Sequence, residues 1–86
     1  MSILHFVVHI IVAVSVMYKR IRELREDHDY TQKHLAKVLN CSQQVYSNYE
    51  LGQRDIPTSI LIRLSGFYEV SADYILEITD DPRIRR

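Results

Sequence analysis

The sequence predicts an all-α protein, a compact bundle of five short helices preceded by an apolar segment of different character. Three observations lead there. Apolar residues recur at helical spacing through most of the chain after residue 16. Only two glycines and two prolines punctuate the 86 residues, and β-branched runs are rare beyond residue 16, so tight turns must join the helices. The length is that of one domain, near the lower limit at which a core alone sustains a fold.

Residues 1–16, "MSILHFVVHIIVAVSV", carry no charge. As a helix this apolar stretch spans roughly 22 Å, short of the ~30 Å hydrocarbon core of a bilayer. Three readings stand: sequence translated upstream of a true start at Met17, a helix or strand that packs on a partner, or a membrane anchor over residues 3–18. In the last, Lys19, Arg20 and Arg22 would flank the span on the cytoplasmic side. A signal peptide fits less well, because no basic region precedes the apolar run and no good cleavage site follows it.

From Met17 onward the helices can be taken in turn. Ile21, Leu24 and His28 recur at helical spacing, so residues 18–28 form the first helix, and "DHDY" breaks it. Thr31 can cap the second helix, whose apolar stripe is Leu35, Ala36 and Leu39. Asn40 suits a left-handed helix end, Cys41 is a small apolar plug, and Ser42 caps a third helix that runs to about Leu51 and stops at Gly52. Pro57 and Thr58 open a fourth, with Ile60, Leu61 and Leu64 turned inward. After "EVS" a short fifth helix covers Ala72 to about Ile78, and residues 80–86 are a polar tail.

Composition narrows the function. The formal net charge is zero, against a protein that coats nucleic acid by bulk charge. The charge is uneven, however: residues 18–54 are mildly basic, whereas residues 64–81 hold Glu69, Asp73, Glu77, Asp80 and Asp81 and no base. Cys41 is the single cysteine, so no internal disulfide can form and a reducing compartment is expected. His5, His9, His28 and His34 show no metal-ligand spacing, and there is no glycine-rich phosphate loop or nucleophile elbow. No metal, cofactor or catalytic site is expected, and the chain does not read as an enzyme.

The third helix carries the functional signal. Only three or four residues separate it from the second, a connection that sets a steep angle and turns the later helix outward. Tyr46 and Tyr49 can cover the core, which leaves Gln43, Gln44, Ser47 and Asn48 on the other faces. Amides both donate and accept, and can pair bidentately with adenine in the major groove. Bulk charge attracts any DNA, whereas neutral amides distinguish bases.

"TQKHLAKVLNCSQQVYSNYELGQRDIP" followed by "ILIRLSGFYEVSADYIL" resembles the Cro/repressor-type helix-turn-helix domains of phages and bacteria, most of all the small stand-alone regulators of low-GC Gram-positive bacteria. The resemblance covers about residues 17–79 and implies a lambda-repressor-like fold. It further implies sequence-specific binding of double-stranded DNA as a homodimer on a pseudo-palindromic operator, in the cytoplasm and on the nucleoid, acting as a repressor. Gln43, Gln44, Ser47 and Asn48 would contact bases; Gln32, Ser42 and Arg54 would contact phosphates. Arg25 and Glu50 match the family's buried ion pair. A second reading uses the same fold to hold a protein partner, as antitoxins of this type do. The chain departs from the pattern at His34, where the family commonly has the glutamate of a capping box, at Ser65-Gly66, and at Leu51.

Overall fold

The computed structural model describes residues 18–84. Five helices follow one another: α1 (Lys19–Asp27), α2 (Gln32–Val38), α3 (Gln43–Glu50), α4 (Thr58–Tyr68) and α5 (Ala72–Ile75). There is no β-strand among the described residues. The readings of residues 1–16 and of an anchor over residues 3–18 fall outside these residues, Tyr18 excepted. No helix among the described residues is long and apolar enough to cross a membrane.

Three helix starts use a hydroxyl in place of a missing helical acceptor. Thr31 accepts from the His34 amide at 3.0 Å, Ser42 from Val45 at 3.1 Å and Ser71 from Tyr74 at 3.0 Å. His34 thus keeps the threonine half of a capping box, and its ring packs on Tyr30 with centroids 4.9 Å apart.

The helix ends share one device. A residue in the left-handed region follows each helix: Asp29 (φ 58), Asn40 (φ 55), Gly52 (φ 69), Glu69 (φ 56) and Glu77 (φ 61). The next amide then reaches back five residues to a carbonyl the helix leaves unpaired, as in Tyr30 to Arg25, Cys41 to Ala36 and Gln53 to Asn48 at 3.0 Å each. Only one of these positions is glycine, so such turns do not require a glycine-rich chain.

This device corrects two expected boundaries. The fifth helix stops at Ile75, not near Ile78, because Glu77 turns left-handed and Ile78 bonds back to the Asp73 carbonyl, which leaves Ile78 exposed. His28 does not extend the apolar stripe of α1. It lies exposed at the helix end, donates from Nδ1 to the Leu24 carbonyl at 2.8 Å and rests its ring on Tyr30 and Tyr68.

The core gathers one stripe from every helix. Ile21, Leu35, Leu39, Tyr46, Leu64 and Ile75 are almost wholly excluded from solvent, and Ile60 and Leu61 pack partly buried against them. Burial of each such side chain contributes about 1.5–3 kcal/mol. Arg20 then joins the first helix to the last: Nη1 donates to the carbonyls of Tyr74 at 2.9 Å and Thr79 at 2.8 Å, and Nη2 to Asp80 at 3.0 Å. Its guanidinium also lies over the Tyr74 ring, 4.0 Å from the centroid. The start of the polar tail is therefore tied down, and the Ser71 amide bonds to the Pro82 carbonyl at 2.8 Å.

Candidate nucleic-acid interface

Leu39, Asn40, Cys41 and Ser42 connect α2 to α3, with Asn40 supplying the left-handed bend and Ser42 the cap. α2 and α3 are the most closely packed pair of helices. The inner face of α3 is fixed by Tyr46, Tyr49 and Glu50, all buried. Its outer face is uncharged. Gln43 and Gln44 are exposed there, and Ser47 and Asn48 are half-buried.

Gln32 at the start of α2 joins this face: Gln32, Gln43, Gln44 and Ser47 line one shallow open depression. Gln44 Nε2 donates to Asn48 Oδ1 at 3.1 Å across one turn. Gln32 Nε2 donates to Glu50 Oε1 at 3.2 Å, so one of its amide hydrogens points inward and one is left for a partner. The Ser42 oxygen is engaged as a cap. Arg54 stands apart from this cluster, exposed in the turn beyond α3.

Glu50 is the hub behind the face. Arg25 Nε donates to Glu50 Oε2 at 2.7 Å and Nη2 to Oε1 at 3.1 Å, while Nη1 reaches the Tyr30 carbonyl at 3.0 Å. Burial alone would raise the Glu50 pKa. The bonds from Arg25 and Gln32, with the Tyr46 hydroxyl alongside, outweigh it and hold the carboxyl below its ordinary value. Tyr46 approaches Glu50 without good hydrogen-bond geometry. Burial, reinforced by that carboxylate, pushes the Tyr46 and Tyr68 phenols well above their ordinary value.

The charge pattern sorts into paired and unpaired groups. On α1, Lys19 faces Glu23 and Arg22 faces Glu26 one turn on, while Arg20 and Arg25 hold Asp80 and Glu50. Among the described residues, Lys33, Lys37, Arg54 and Arg63 carry no ion pair. The first three lie on α2 and just past α3, whereas Arg63 is on α4 and donates from Nη1 to the Leu39 carbonyl at 3.5 Å. Arg54 is close enough to Cys41 to oppose, in part, the rise that burial causes in its thiol pKa. Lys33 and Lys37 were not singled out from the sequence. The signal was present in a helix, "QKHLAKV", with two lysines one turn apart and no acid.

Comparison with known proteins agrees with this geometry. A family model described as helix-turn-helix matches residues 21–75. The uncharacterized HTH-type transcriptional regulator YobD of Bacillus subtilis (strain 168) is 39% identical over 64 residues, 74% of this chain and 57% of its own. The HTH-type transcriptional regulator ImmR of the same organism is 47% identical over 58 residues, 67% of this chain and 46% of its own. The SPbeta prophage-derived uncharacterized HTH-type transcriptional regulator YonR, also from that organism, is 31% identical over 61 residues, 71% of this chain and 56% of its own. The chain spans about half the length of these curated relatives. No solved structure matches it.

Proposed function

The chain belongs to the lambda-repressor/Cro-like helix-turn-helix family of DNA-binding transcriptional regulators, and from that premise we propose that it reads a specific duplex sequence with α3 and acts as a repressor. One observation carries this reading: an uncharged hydrogen-bonding face of Gln43, Gln44, Ser47 and Asn48 on a helix whose other face is locked into the core. Lys33 and Lys37 on α2 and Arg54 past the end of α3 are exposed and carry no ion pair, which suits them to phosphates. Gln32 and Ser42, at the starts of α2 and α3, would add contacts through the donors their internal bonds leave free.

The binding unit in this reading is residues 17–79, and residues 1–16 are dispensable to it. The protein acts in the cytoplasm as a homodimer whose two α3 helices enter successive major grooves. That requires half-sites about one helical turn apart. Repression follows from occupancy, since a dimer seated over a promoter excludes polymerase.

Selection from a random duplex library, with proteins starting at Met1 and at Met17, tests the reading. The expected result is one enriched pseudo-palindrome common to both, with half-sites about 10 base pairs apart. Retention of all sequences alike would refute it.

A further inference from the structure

The hydrogen bond from Gln44 Nε2 to Asn48 Oδ1 makes the two amides unequal. Gln43, their neighbour on the same face, has no such partner among the described residues. A free glutamine amide rotates, and its donor and acceptor exchange places as it does so. It can then face a base with either group and discriminates poorly. A clasp on one of its two N–H groups removes that freedom.

What the clasp leaves exposed is chemically definite. Gln44 retains its Oε1 acceptor and its second N–H, the pair that matches N6 and N7 on the major-groove edge of adenine. Asn48 has its oxygen turned toward Gln44 and retains both Nδ2 hydrogens. Those suit an acceptor, O4 of thymine or O6 of guanine.

We propose that Gln44 and Asn48 form a single reading unit, in which Asn48 Oδ1 sets the rotation of the Gln44 amide for adenine and Asn48 Nδ2 meets a keto oxygen on a neighbouring base. Asn48 is thereby a positioning residue for Gln44 as well as a contact of its own. The inference rests on α3 being the reading helix, and it adds which base class each residue selects and how the two depend on each other.

The test is selection by the full chain and its variants from a duplex library randomised across the binding region, with base preferences read by sequencing. Both side chains lie on the outer face of α3, so the variants keep the core intact. Gln44→Ala abolishes an adenine preference at one base pair. Asn48→Ala loses the keto preference at the neighbouring pair and also weakens the adenine preference by about three- to tenfold. Asn48→Asp restores the adenine preference, because it keeps the acceptor, while the keto preference stays lost for want of a donor. If Asn48→Ala leaves the adenine preference intact while Gln44→Ala erases it, the unit is overturned and α3 remains the reading helix. If neither variant changes any preference, or the unaltered chain enriches nothing, the unit and the reading of α3 fall together.

Discussion

Arg25 grips Glu50 through two hydrogen bonds, 2.7 and 3.1 Å long, and the Glu50 side chain is only 3% exposed. The pair ties α1 to the last turn of α3, behind the face that carries the amides. Glu50→Ala leaves the guanidinium facing an apolar gap and should cost ~3 kcal/mol or more. In so small a domain this is a large part of the total stability. Chemical denaturation measures it, and an unchanged midpoint would show that the pair contributes nothing.

Acid should weaken the fold through the same carboxyl. Its folded pKa lies below the ordinary 4.5, so its stabilisation is complete above that value and is lost as pH falls through the folded pKa. Urea midpoints of the unaltered chain should therefore drop steeply below about pH 4.5, whereas Glu50→Gln should follow a flatter acid limb from a lower plateau. Parallel curves for the two would refute the linkage.

Two substitutions on α4 and its end should each stabilise, for opposite reasons. Gly66 lies within the helix, and an added Cβ meets nothing within 4 Å, so Gly66→Ala should contribute about 1 kcal/mol. Glu69 is left-handed at φ 56, where a side chain is strained, so Glu69→Gly should relieve about 1 kcal/mol. Melting temperatures of both variants check the pair; a fall for Glu69→Gly would mean that its turn carries no strain.

Arg54 should differ in kind from the amides. Arg54→Ala removes a phosphate contact and so weakens all duplexes alike. It should make the slope of log affinity against log salt shallower by about one unit per contact, counted twice in a dimer. Gln44→Ala should leave that slope nearly unchanged. Equal salt slopes for the two variants would remove Arg54 from the phosphate set.

How far the sequence foretold this molecule depended on the range of the interaction. Thr31 and Ser42 act on an amide three residues away, and Asn40 and Gly52 act on their own backbone, so composition at one position revealed each of them. Asp29, Glu69 and Glu77 take the same left-handed conformation, which aspartate tolerates and glutamate forms poorly. The surrounding turn imposes it, and a reader of side chains overlooks them. Ser71 was passed over, although its hydroxyl accepts from the Tyr74 amide in the same way. The hold of Arg20 on Tyr74 and Thr79 crosses the whole bundle, and no local spacing encodes it. At the candidate site, the outer face of α3 followed from helical periodicity. The bond Gln32–Glu50 did not, because it depends on how α2 packs on α3, whereas Gln44–Asn48 is an i,i+4 pair whose spacing was legible and was passed over.

The hold of Arg20 also orders events on the ribosome. Glu50 emerges only 25 residues after Arg25, so α1, α2 and α3 can associate while synthesis continues. The acceptors for Arg20 follow it by 54 to 60 residues, at the far end of the described chain. The link from α1 to the segment after α5 is therefore the last of these contacts that a growing chain can complete.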